Sequence, residues 1–263
     1  MIRRLRGAKR SLVRDWIEEA EFVAIMAPGR SDSIDFVLVD VGSHNGSVTS
    51  MFLEKGWSVV AYEPDPSNRE QFMQRIGSNP RVQLSTAAVS DKPAASASLF
   101  TSPTSTGIST LSAFHQSHKP TATVEVVTLA IDLRARDVQR VDFLKVDIEG
   151  FDLFALKGFD WTYSPRFVLY EFEDRKTIPL GYSLADSSAY VADRGYHLAY
   201  SVWEPIVEYG GRHRWRGLSS TPPADAAECW GNVLAFRDRT DAARCLRMFS
   251  SPMHRVYAQL RHG

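Results

Sequence analysis

Val37 to Glu63 reads VLVDVGSHNGSVTSMFLEKGWSVVAYE, and this stretch decides the fold. Val37, Leu38 and Val39 form a short apolar run that ends at Asp40, and the loop Gly42-Ser43-His44-Asn45-Gly46 follows at once. Val48, Met51 and Phe52 then recur with helical spacing up to Gly56, and Trp57 to Tyr62 gives a second apolar strand. Strand, glycine loop, helix and strand in this order make one nucleotide-binding βαβ unit. Glycine at 42 and 46 lets the backbone turn at positive φ and come close to a ligand, while a helix starting near Ser47 offers unpaired amides. Glu63 closes the second strand, where an acid accepts both hydroxyl protons of a ribose. Adenosine is therefore the first expectation.

The loop narrows the cofactor. A dinucleotide site needs G-x-G-x-x-G, whose glycines bring a pyrophosphate to the helix N-terminus. His44 stands where the second of those glycines would be, and the spacing is D-x-G-x-x-x-G. That suits a cofactor without a pyrophosphate, S-adenosylmethionine, with its amino acid end over the loop and its ribose on Glu63. NAD(P), FAD and a tight turn with no ligand stay open at this point, as do their consequences, an NAD(P)-dependent oxidoreductase or a nonenzymatic binding module.

With 263 residues, 44% hydrophobic and 24% charged, the chain suits one sizeable core with decorations, residues 31–263 forming a single domain. Lys plus Arg and Asp plus Glu number 31 each, so no global charge draws it to nucleic acid, and none is expected as a partner. Two cysteines, Cys229 and Cys245, without a CxxC pair indicate neither a disulfide scaffold nor a structural zinc, and the cytoplasm is the expected location. No apolar stretch reaches the roughly 20 residues of a membrane span. Residues 1–30 begin with Arg3, Arg4, Arg6, Lys9, Arg10 and Arg14 among Leu5, Leu12, Val13, Trp16 and Ile17, a basic amphipathic helix. It suits a surface helix on the domain; peripheral contact with an anionic membrane or an acidic partner, and an Arg-rich transit peptide, are the alternatives.

Beyond Glu63 the chain keeps the alternating pattern. A helix from about Ser67 to Ile76, a strand over Val82–Val89, extended runs at Val124–Leu129, Val141–Ile148 and Phe167–Phe172, a helix over Leu184–Arg194 and strands at Tyr196–Trp203 and Asn232–Phe236 follow. Between them, 93–123 turns rich in Ser, Thr, Ala and Pro. Leu99, Phe100, Ile108, Leu111 and Phe114 spaced through it suggest an ordered excursion over the sheet's carboxyl edge rather than a linker. A helical tail runs from Thr240 to Leu260, interrupted at Pro252.

Two strand ends carry acids. In Leu144-Lys145-Val146-Asp147-Ile148-Glu149 alternate side chains share a face, which would send Lys145, Asp147 and Glu149 the same way. Val168 to Glu173 ends likewise with Glu171 and Glu173, and in a doubly wound sheet both ends open on the ligand crevice. Converging carboxylates orient an acceptor hydroxyl, take its proton, or hold a hard divalent ion such as Mg²⁺; crowding raises the pKa of a neighbour.

Taken together, DVGSHNG, YEPDPSN, AVSD (Ala88–Asp91), TGISTL (Thr106–Leu111), VTLAIDL, VDFLKVDIEG followed by LKG, and VLYEF resemble the successive motifs of FkbM-type S-adenosylmethionine-dependent methyltransferases over about Phe36 to Phe172. The resemblance implies the class I methyltransferase fold, an α/β Rossmann-like doubly wound sheet of seven strands with the last antiparallel. It also implies methyl transfer to an oxygen, often of a sugar, glycan or glycosylated natural product. By position, the cofactor role falls on Asp40, Gly42, Gly46 and Glu63, with Ser43, His44 and Pro64 beside them, and the acceptor side on Asp147, Glu149 and Glu171. The family commonly has Asn where His44 stands and Glu where Asp152 stands. Asp147 is the expected hydroxyl-orienting residue or base, with Glu171 second and His44 third. The loop 204–230 carries Tyr209, Trp215 and Trp230 with Arg212, His213, Arg214 and Arg216, and Trp203 precedes it. This mixture suits stacking on a sugar and pairing with an anion; an exposed hairpin with anchoring aromatics is the alternative.

Overall fold

The computed structural model describes residues 18–29, 31–103, 106–206 and 213–249. Its helices in chain order are α1 (Ala20–Met26), α2 (Ser47–Glu54), α3 (Pro66–Ile76), α4 (Leu129–Ala135), α5 (Asp152–Lys157), α6 (Asp174–Thr177), α7 (Leu184–Ala192) and α8 (Arg239–Phe249). The strands are β1 (Val37–Val41), β2 (Ser58–Tyr62), β3 (Val82–Ser85), β4 (Ala88–Val89), β5 (Ala94–Thr101), β6 (Lys119–Val127), β7 (Phe143–Val146), β8 (Phe167–Phe172), β9 (His197–Trp203), β10 (Trp215–Ser219) and β11 (Trp230–Phe236).

Eight strands make the main sheet in the order β10-β9-β11-β8-β7-β1-β2-β3. β3, β2, β1, β7 and β8 run parallel, and β11 lies antiparallel between β8 and β9. Without β10 this is the expected seven-stranded sheet whose last strand is antiparallel; β10 adds an antiparallel edge strand beyond β9. The central strands are buried on both faces, and alternate residues feed opposite layers. Leu38 of β1 and Phe143 of β7 pack with Phe52, Trp57 and Phe72. Val39, Val41, Leu144 and Val146 pack on the other face with Leu129, Leu133 and Leu156.

The run Val82–Val89 divides in two. Ser85 Oγ accepts the Ala87 amide (3.3 Å), and Ala88 and Val89 leave the main sheet to pair with β6. With β5 they form a three-stranded sheet, order β4-β6-β5, around a small core of Leu99, Val124 and Val126. α1 buries five of its seven residues, packing on α2 and α8 and leaving Ile25 exposed, and Phe22 stacks on Phe249 at 4.1 Å. Arg3 to Arg14 and residues 250–260 of the tail lie outside the described residues. Among the described residues no helix is long and apolar enough to cross a membrane.

Candidate functional site

β1 ends at the middle of the sheet, and the loop after it is held by the protein from both sides. The amides of Gly42 and Ser43 both donate to the Tyr62 carbonyl at 3.0 Å. A Cβ on Gly42 would sit 1.9 Å from the Asp147 carbonyl oxygen, and one on Gly46 2.9 Å from the Phe72 ring, at φ of 76° and 78°. Close packing of β7 and α3 therefore already demands both glycines, whatever ligand approaches them. Asp40 lies behind the loop, fully buried, accepting from Thr49 Oγ1 (2.7 Å) at the start of α2.

Glu63 is 4% exposed. One carboxylate oxygen accepts the His44 amide and the other the Asp65 amide, both at 2.8 Å, so Glu63 ties the first loop to the second strand. Burial pushes its pKa up to about 7, against the lowering effect of those bonds. The Asn68 side chain bonds the carboxylate as well, so three of its roughly four acceptor positions are taken within the protein. His44 itself adopts φ of 48°, and burial, aided by Lys145, holds its ring below the usual histidine pKa.

The strand-end acids divide between two lysines. Lys145, 5% exposed, donates to the Gly42 carbonyl (2.8 Å) and lies 3.5 Å from both Asp40 and Asp147. These carboxylates, against the effect of burial, hold its ammonium above the ordinary lysine pKa. Lys176 on α6 lies 2.5 Å from Glu149, 3.3 Å from Glu171 and 2.8 Å from Glu173. Burial raises Glu149 to about 7 and Glu171 well above the carboxylate range, Lys176 opposing in both. β7 stops at Val146 and Glu149 has φ of 57°, so strand alternation is not what brings the acids together. Oxygens of Asp147, Glu149 and Glu171 nevertheless lie within 4.8 Å of one another. Such a set suits a hard divalent ion, yet Lys176 already supplies a cation to two of the three. Asp147 differs from its neighbours: its side chain is 43% exposed.

Around these groups lies a crevice of about 930 Å³, open solvent at its mouth included. Gly42, Ser43, His44, Glu63, Pro64, Asp147 and Glu149 line it, whereas Asp40, Gly46 and Glu171 stand behind its wall. Its lining also takes in Glu18, Asn68, Ala87 to Val89, Leu99 and the segment Gly107 to Leu111. Ser109 ties that segment down by donating to Asp65 (2.8 Å). Ser43 Oγ is buried there without a hydrogen-bond partner. Asn68 sits two residues inside α3, where an Asn in a helix pattern reads as solvated; Lys176 reaches Glu149 27 residues away, and Glu18 reaches the crevice from before the βαβ unit. The aromatics expected to stack on an acceptor are core residues instead. Trp203, Trp215 and Trp230 are 0%, 4% and 6% exposed, and Trp215 Nε1 donates to Ser201 Oγ (2.8 Å). Tyr209 and Arg212 lie outside the described residues; Arg216 pairs with Glu204 and Asp225.

No curated protein matches the chain. Similar solved structures include precorrin-6Y C5,15-methyltransferase from Geobacter metallireducens GS-15, at 10% identity and TM-score 0.42 over 82% of this chain and 85% of that one. A TehB-like SAM-dependent methyltransferase from Corynebacterium glutamicum shows 13% identity and TM-score 0.43 over 90% and 96%. The C-terminal domain of precorrin-6Y C5,15-methyltransferase from Rhodobacter capsulatus shows 13% and 0.39 over 82% and 86%. Residues 40–198, more than half of the chain, match the model of the methyltransferase FkbM domain, and the chain belongs to that family of methyltransferases.

Proposed function

We propose that this S-adenosylmethionine-dependent methyltransferase transfers its methyl group to a hydroxyl of a sugar, glycan or glycosylated natural product, within a single domain in which α1 packs with residues 31–263. The supporting observation is Asp147, a part-exposed carboxylate that lines the same crevice as the buried acid Glu63. The residues fit the cofactor: Glu63 suits the ribose hydroxyls, and the unpartnered Ser43 hydroxyl and the Pro64, Ala87 and Val89 surfaces complete a mixed polar and apolar wall. When bound, S-adenosylmethionine supplies a methyl group on a sulfonium, so the leaving group is already activated.

The protein's share is then to orient and to deprotonate. Holding the acceptor hydroxyl in line contributes up to ~7 to 11 kcal/mol, and a base adds ~10²- to 10⁴-fold. Asp147 takes the hydroxyl proton, and Lys145 beside it compensates the charge when the carboxylate is free. Glu149 and Glu171, bound to Lys176, build the acidic wall behind it. Ser109, Thr110 and His44 add polar groups to the lining, as a polyhydroxylated acceptor requires. Excluding NAD(P) oxidoreduction and a purely binding role needs turnover. Methyl-labelled S-adenosylmethionine is offered with a panel of sugar nucleotides and glycosides. Wild type is expected to label a hydroxyl, and Asp147→Asn to lose at least about 10²-fold in turnover while binding S-adenosylhomocysteine within twofold of wild type. Unchanged turnover in the variant would remove Asp147 from the chemistry.

A further inference from the structure

Glu18 lies outside the segment that matches the family, yet it lines the crevice. Its neighbour explains how it is placed. Glu19 is 3% exposed, and one of its oxygens accepts from both Ser201 Oγ (2.6 Å) and Trp203 Nε1 (2.7 Å) at the carboxyl end of β9. Ser201 in turn accepts from Trp215. Immediately after it, α1 buries Ala20, Phe22, Val23, Ala24 and Met26 against the sheet layer. The chain is thus pinned immediately after Glu18, and this places the acid in the lining of the crevice.

Its surroundings are unusual in charge. Lys145 is the cation facing Glu18, and Asp40 and Asp147 are the acids around that same lysine. Three carboxyl groups against one ammonium leave an excess of negative charge, which favours a cationic ligand group. Burial pushes Glu18 up to about 8, Lys145 opposing and Glu19, Asp147 and Asp40 adding to the rise, so an incoming cation would stabilise its ionised form.

Topology says which cation. Glu63 ends β2, the loop ends β1 and Asp147 follows β7, three adjacent strands. A donor whose ribose sits on Glu63 and which crosses the loop brings its amino acid end to β7, where Glu18 and Lys145 stand. We propose that Glu18, delivered by the segment before α1, binds the α-ammonium of the methyl donor's methionine moiety, with the Lys145 ammonium available to its carboxylate. This rests on the cofactor reading above and extends it with a residue from outside the βαβ motif.

The test separates the two parts of the ligand. 5′-Methylthioadenosine shares adenosine and sulfur with S-adenosylhomocysteine but lacks the amino acid. Both are titrated calorimetrically into full-length wild type, Glu18→Gln and Glu18→Asp. Loss of a charge-assisted bond is expected to weaken S-adenosylhomocysteine about tenfold or more in Glu18→Gln, leaving methylthioadenosine within twofold of wild type. Glu18→Asp, which keeps the charge, is expected to recover part of the loss. Equal losses for both compounds, or none for either, in a protein whose wild type binds both would overturn the Glu18 assignment alone. A wild type that binds neither compound would overturn the assignment and the cofactor reading together.

Discussion

Lys176→Met removes one ammonium from among three buried carboxylates, and the consequence depends on pH in a way the geometry fixes. Lys176 lies 2.5, 3.3 and 2.8 Å from Glu149, Glu171 and Glu173, with all four side chains at most 10% exposed. Breaking a buried ion pair costs about 3 to 5 kcal/mol, because the charge left behind is neither solvated nor paired. Protonation limits that cost. Glu149 sits at about 7 even with Lys176 present and rises further without it, as does Glu171, so near pH 6 these two acids are neutral in the variant and their loss is chiefly of hydrogen bonds, about 1 to 3 kcal/mol. Above pH 7 the variant retains a proton that wild type has released, and the gap widens by about 1.4 kcal/mol per pH unit for each such acid. Urea unfolding at pH 6 and pH 8.5 should therefore show the variant's deficit growing by about 2 kcal/mol. The freed oxygens also suit a hard cation, so Mg²⁺ should raise the variant's Tm more than that of wild type. A deficit equal at the two pH values would refute the account of Lys176 as counter-ion to ionisable acids.

The ligand-free protein should lose stability as pH rises from 6.5 to 8. Glu63, Glu149 and Asp152 at about 7 and Glu18 at about 8 all hold protons in the folded state that the unfolded chain has already released. Glu63 alone costs about 3 kcal/mol once ionised. His44 and His118, lowered by burial, act oppositely only below their ordinary 6.5, which sets the window; a Tm that is flat or rises across it would contradict these environments. Trp215→Ala should cost about 3 to 5 kcal/mol by thermal unfolding, because the ring is buried against Phe22. Any folded fraction should keep wild-type acceptor KM, and a selective rise in KM without loss of Tm would return the residue to the acceptor pocket.

The βαβ unit was legible because its signals are local: an apolar run, a glycine loop, a helical period and an acid at the strand end fall within Val37 to Glu63. Ligand approach accounts for the glycines from sequence, although contacts with Asp147 and Phe72, 105 and 26 residues away, already require them, which periodicity does not reveal. In the same way Lys176 reads as one charge in Glu-Asp-Arg-Lys, and only the fold shows that it faces three acids. Glu18 is a further case: its crevice position follows from Glu19 meeting β9 more than 180 residues later. The edge strand did carry a signal. His213, Trp215 and Leu218 are buried and Arg214 and Arg216 exposed, an alternation obscured by the slip in register between Trp215 and Gly217.

Calorimetric titration of S-adenosylhomocysteine and NAD⁺ into wild type and Glu63→Gln bears most directly on the central claim, that the crevice beside Glu63 is a methyl-donor site. The Gln substitution is chosen because the carboxylate also holds the amides of His44 and Asp65, which an amide oxygen can still partly serve. Wild type is expected to bind S-adenosylhomocysteine in preference to NAD⁺, and the variant to bind it about tenfold or more weakly. Preference for NAD⁺, or undiminished S-adenosylhomocysteine binding in the variant, would contradict the placement of the cofactor.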